Sequence, residues 1–251
     1  SAASDVYKRQ VYRGMSFLIA GIAHAAMAGA AFAIFMDYYG IIPNMHPTLG
    51  AIIFSLAMSL TVGYFSQKGE HEIIEVSIGI SFAIAMSLAI LFISLIKEYA
   101  AQAWGLIMGD LLLLTTFDLI LMIIVSSLAI FLVVLFYREF LFISFDIEGA
   151  YALGLKVSFY NYLLLILASM AVVVLLKGVG AILVYVLLVI PAAAANNIAK
   201  TTSMVVFFTT IFALLSGMLG LILSLIFGIA PSALAGIIAT LIYIFSVIVK
   251  K

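Results

Sequence analysis

Apolar runs of roughly 17 to 26 residues recur along this chain, parted only by short polar stretches, and a run of that length crosses the hydrocarbon of a bilayer as a helix. They fall at about 14–39, 48–65, 76–96, 117–137, 159–176, 181–199, 204–227 and 233–249. Alternation at period two is absent, and the runs are too long for barrel strands. The fold this implies is all-α: a polytopic transmembrane helical bundle of about eight spans. A shorter apolar piece, "AAQAWGLIMGDLLLL", is only about 15 residues long and reads as a re-entrant half-helix.

Composition makes the same point. Hydrophobic residues are 67% of the chain and charged residues 9%, against about half and a quarter in a soluble domain. Such a chain cannot cover itself with polar surface. There is no cysteine, so no disulfide framework or thiolate metal site exists. No G-x-x-x-x-G-K-[ST] occurs, so the chain does not bind ATP through a P-loop. No Ser/His/Asp arrangement stands out, which disfavours a membrane enzyme, and no nucleic-acid partner is expected. The opening string "SAASDVYKRQ" lacks an initiator Met and resembles translated adapter read-through. Residues 1–10 are therefore set aside as a non-native leader. Residues 11–251 are expected to form a single transmembrane domain, with at least one further span ahead of it.

Charge placement orients the spans. Threaded alternately with Arg13 on the cytoplasmic side, Arg13, Lys68, Arg138, Lys156, Lys200, Lys250 and Lys251 fall inside, and Lys97 and Lys177 fall outside. The C-terminus then faces the cytoplasm, as does "SFDIEGAYALG". In that stretch Asp146 can cap a short helix, Glu148 suits its first turn, Ala150 continues it and Gly154 can end it in the left-handed conformation. It reads either as an amphipathic loop helix at about 144–155 resting on the headgroups or as a docking knob for a soluble partner.

Further positions carry candidate chemistry. His24 lies mid-span among small neighbours, either hydrogen-bonded to another helix or acting as a transient ligand for a divalent cation. Asp110 and Asp118 flank the half-helix, as caps or as attractors at the mouth of a cation path. Asp37, Glu98 and His46 would share that outer face. Pro191 is expected to break a span at mid-depth and free a carbonyl, with Asn196 and Asn197 following, as a kink with a polar end or as a flexing gate.

Five stretches in order resemble the ABC-transporter permeases of the zinc/manganese uptake family. "SFDIEGAYALGL" looks like the family's cytoplasmic coupling helix. "YRGMSFLIAGIAHAAMAG" is similar to its early Arg, Ser, His and Gly block, and "LIMGDLLLLTTFDL" to its half-helix followed by Asp. "VGAILVYVLLVIPAAAANNIA" and "LGLILSLIFGIAPSALAG" are similar to its Pro-Ala-Ala span and its closing Gly, Ser and Pro block. The resemblance implies the permease subunit of an ATP-driven importer for zinc or manganese. It implies a homodimer of permeases, cytoplasmic ATP-binding subunits gripping the helix at 144–155, and an extracytoplasmic substrate-binding protein. The setting would be the plasma (inner) membrane of a bacterium or archaeon. It implies no cofactor in this chain: ATP sits on the partner and the divalent cation is cargo. In the family an Asp precedes this His by one helical turn; here that position is Ala20. The competing reading is an ion-gradient-driven secondary transporter or channel, which would work without an ATPase.

Overall fold

The computed structural model describes residues 2–68, 71–96 and 115–249, all as helices joined by short turns. The helices are α1 (Ala2–Tyr38), α2 (Pro47–Lys68), α3 (His71–Leu95), α4 (Thr116–Leu135), α5 (Tyr137–Phe145), α6 (Ile147–Ala152), α7 (Val157–Ile198), α8 (Thr202–Phe227) and α9 (Pro231–Val249). Seven stretches among the described residues are long and apolar enough to cross a membrane, and Leu183–Ile198 is a shorter apolar helix. These match the eight runs read from the sequence. The half-helix, Glu98 and Asp110 lie outside the described residues.

The described residues divide into two compact units, 2–96 with 115–175, and 176–249. In the first, α1 is the hub. Within Leu18–Tyr38, 72% of the best window is buried, against 6% for α4. The reason is composition: Ala23, Ala26, Ala28, Ala31 and Ala33 leave no side chain to hold neighbours away. Lipid tails are as apolar as leucine, so helices associate in hydrocarbon by close packing rather than by escape from water. The closest crossing joins α1 to α2, where a Cβ on Gly29 would overlap the Gly50 carbonyl oxygen, and the reverse holds for Gly50. Further along, Gly63 of α2 receives Tyr162 and Leu165 of α7. Ser169 donates to Ser55 O at 3.4 Å beside its bond to Leu165 O. By contrast α4 leaves Ile123, Ile124, Phe131 and Val134 exposed, as a lipid-facing helix does.

In the second unit α8 and α9 pack through Gly220, where a Cβ would meet the Ala235 backbone. The α8–α9 turn is closed by Gly228 in the left-handed conformation, φ 66°, and by Ser224 Oγ donating to Ile229 O. The expected break at Pro191 is not found. α7 continues through it to Ile198, and the residue with non-helical dihedrals inside α7 is Gly180, φ 81° and ψ 156°. Proline removes one rung, the bond that the Leu187 carbonyl would accept, and a membrane helix tolerates that. A residue at positive φ with extended ψ is nearly closed to anything but glycine, so Gly180 divides α7 between the apolar runs at 159–176 and 181–199.

The hub predicts a contrast between two glycines. Gly29→Ala forces α1 and α2 apart and should cost about 1–3 kcal/mol. Gly79→Ala, with nothing within 4 Å of the added methyl, should be neutral or gain up to about 1 kcal/mol of helix propensity. Heat denaturation in detergent reads both; equal midpoints would contradict the account.

Candidate functional site

The turn between α5 and α7 is where the backbone leaves long helices and must satisfy its own ends. Asp146 does this for the start of α6: its Oδ1 accepts the Gly149 N–H at 2.8 Å. Gly149 is part of the device, since a Cβ there would overlap the Asp146 carboxylate. Glu148 adds negative charge to the first turn, where the helix dipole favours it. At the other end Leu155 N–H reaches back to Ala150 O and Gly154 N–H to Tyr151 O, both at 3.0 Å, with Gly154 at φ 77°. That pair of bonds is the Schellman closure, and it is completed by Leu155 packing on the cluster around Ala150.

The two caps turn α6 so that one face is buried and the other bare. Ala150 is 0% exposed and packs with Ile143 and Val157, with Phe142, Leu155 and Tyr160 against them. It is therefore an inner pin rather than a contact surface. The outward side carries Ile147, Tyr151 at 57% exposure and Leu153 at 73%, beside exposed Asp146, Glu148 and Gly154. At the base Phe136, Phe140 and Tyr160 meet edge to face, with centroids 5.6 to 6.2 Å apart. Phe136 caps α4 and Tyr160 lies in the first turn of α7, so the knob sits on the ends of two spans.

His24 lies in α1, half-buried. Its Nδ1 is 2.8 Å from Ala20 O in the same helix. A carbonyl only accepts, so Nδ1 carries the proton and the Nε2 lone pair is the one left for a ligand. Phe82 of α3 sets its ring against the imidazole, 4.8 Å between centroids and 65° between planes. No group of three His, Cys, Asp or Glu able to hold a metal occurs among the described residues. What the site offers is one imidazole nitrogen among apolar neighbours.

The remaining candidates have local tasks. Asp118 is buried and closes a capping box with Thr115, accepting its N–H at 2.8 Å and its hydroxyl at 2.5 Å. Asp37 Oδ1 accepts Asn44 N–H at 2.7 Å across the α1–α2 turn, and His46 Nδ1 accepts Thr48 N–H. Asn196 is exposed; it is its neighbour Asn197 that bridges helices, donating from Nδ2 to Ser246 Oγ at 3.2 Å. Sequence reasoning missed Gly149, Tyr151, Leu153 and Ser246. An i, i+4 pair of exposed Ile147 and Tyr151 could have been noticed, but nothing marks Ser246 as the partner of Asn197.

The caps carry a stability test. Gly149→Ala displaces the Asp146 carboxylate and should open the 146–156 segment to protease in detergent. Asp146→Asn keeps a good N-cap acceptor and should leave the segment resistant. Equal cleavage of the two variants would contradict this arrangement.

The chain as a whole is similar to known proteins. The profile described as the ABC 3 transport family matches residues 6–250. The manganese transport system membrane protein MntC of Listeria monocytogenes is 33% identical over 233 residues, covering 93% of this chain and 80% of that protein. The manganese import system permease protein ScaB of Streptococcus gordonii is 32% identical over 173 residues, 68% of this chain and 59% of that protein. Among solved structures, PsaBC from Streptococcus pneumoniae in complex with Fab superposes with a TM-score of 0.78 at 26% identity, covering 94% of this chain and 82% of that one.

Proposed function

The chain belongs to the ABC 3 transport family, and from that premise we propose that it is the membrane-spanning permease subunit of an ATP-driven importer of divalent metal ions, manganese foremost. The observation that carries the proposal is the family match over nearly the whole chain, joined to a doubly capped knob on the ends of two spans. The manganese assignment rests on relatives whose names carry it; zinc is the second candidate.

Mechanically, a separate ATP-binding subunit grips α6 from the cytoplasm. Ile147 and Tyr151 present one face at i, i+4 spacing, and Leu153 extends it. These apolar groups enter a pocket on the partner, and the Asp146 and Glu148 carboxylates meet its basic rim. Motion of the grip passes through the Ala150 cluster and the Phe136–Phe140–Tyr160 contacts into α4 and α7. Tilting those spans switches the path from outward-open to inward-open. Two copies of the chain flank the path, as a closed symmetric pair does. A substrate-binding protein delivers the cation from outside, and the C-terminus lies inside. Along the path His24 Nε2 serves as a passing ligand, with Asp110 drawing cations toward the entrance. Ala20 leaves the imidazole without a carboxylate, so binding there is weak, which suits a step that must release its ion.

Two measurements test this. Tyr151→Ala and Leu153→Ala should each weaken co-purification with the ATP-binding subunit, by roughly 2 kcal/mol for a buried aromatic anchor, while leaving the detergent melting point in place. Retained binding in the double variant would remove the knob from the interface. His24→Ala should lower manganese-stimulated ATP hydrolysis by the complex; unchanged stimulation would take His24 out of the path.

A further inference from the structure

Beyond the knob and the path, the second unit holds a bond with the features of a switch. Asn197 Nδ2 donates to Ser246 Oγ, joining the last turn of α7 to the last turns of α9. Ser246 is buried, and its own hydroxyl donates to Tyr243 O at 2.7 Å. The oxygen that Asn197 reaches is therefore a pure acceptor. Six positions before Asn197 stands Pro191, which offers no N–H to the Leu187 carbonyl. The end of α7 is thus held to the rest of its helix by a ladder one rung short. It tilts more readily than an unbroken helix, and the grip on Ser246 opposes the tilt. Release strands neither partner. Ser246 keeps its bond to Tyr243 O, and Asn197, half-buried near a helix end, can take water instead. Opening therefore leaves no buried polar group without a partner, which keeps its cost low.

We propose that the Asn197–Ser246 bond is a latch at the inner end of α7. Closed, as here, it holds the segment after Pro191 against α9; it opens in one nucleotide state of the transport cycle. This rests on the importer reading above. The chain has no cysteine, so Asn197→Cys with Ser246→Cys creates a single addressable pair in the full chain assembled with its ATP-binding subunit. Under mild oxidant the disulfide should form several-fold more slowly in one of the nucleotide-free, ATP-bound and vanadate-trapped states than in the others. Once formed, it should arrest manganese uptake, and reductant should restore it. Equal cross-linking in every nucleotide state, no cross-link at all, or transport at the parental rate through the cross-linked complex would each overturn the latch. Should the cysteine pair fail to accumulate, Asn197→Leu, similar in volume but without a donor, carries the test. Its ATP hydrolysis without manganese should rise several-fold, and an unchanged rate overturns the proposal. A parental complex that imports no manganese would sink the cargo assignment instead, and the cross-linking result would stay readable because it needs only nucleotide.

Discussion

Hydrocarbon supplies no hydrogen bonds, and the organisation of this chain follows from that. Every backbone amide in the bilayer must be satisfied within its own helix, so the spans are long and their ends are closed by specific residues: Thr115 with Asp118, Thr201, Gly228 and Gly40. Because lipid gives no apolar driving force between helices, contact depends on how near two backbones can come. Gly29 against Gly50 and Gly220 against Ala235 are the places where they come nearest. The same rule explains why α1, rich in alanine, is the hub and α4, rich in isoleucine and leucine, is the rim.

The knob obeys the rule in the other direction. A helix of six residues has almost no internal ladder, and without its caps it would not hold a shape. Asp146 and Gly149 fix one end, Gly154 and Leu155 the other, and Ala150 pins the middle to Ile143 and Val157. The caps decide which side chains face outward. A rigid small element mounted through aromatic contacts on two spans can transmit a push, where a loose loop would absorb it. The functional proposal follows from that stiffness as much as from family membership.

Much of this was legible in the residues. The span positions follow from run length, and Asp146, Gly154 and Asp118 occupy the cap positions their chemistry suggests. Three features were not legible, each for a physical reason. The sequence shows Ala150 only as continuing the short helix, because α6 is too short for periodicity to tell its inner face from its outer one. Pro191 was expected to interrupt its span, yet one missing rung is tolerable and the helix continues through it to Ile198. Asn196 and Asn197 are equivalent in sequence, and only the approach of Ser246 from α9 separates them. In a chain apolar on every side, hydrophobic patterning carries little information about which face packs and which meets lipid.

The central claim is that this polypeptide is driven through its knob by an engine it does not contain. Uptake of radioactive manganese into proteoliposomes supplied with the substrate-binding protein, with the chain alone and with the chain plus its ATP-binding subunit and ATP, tests it most directly. The account predicts accumulation only when subunit and nucleotide are both present. Uptake by the chain alone at a comparable rate, down or against a gradient, would contradict it.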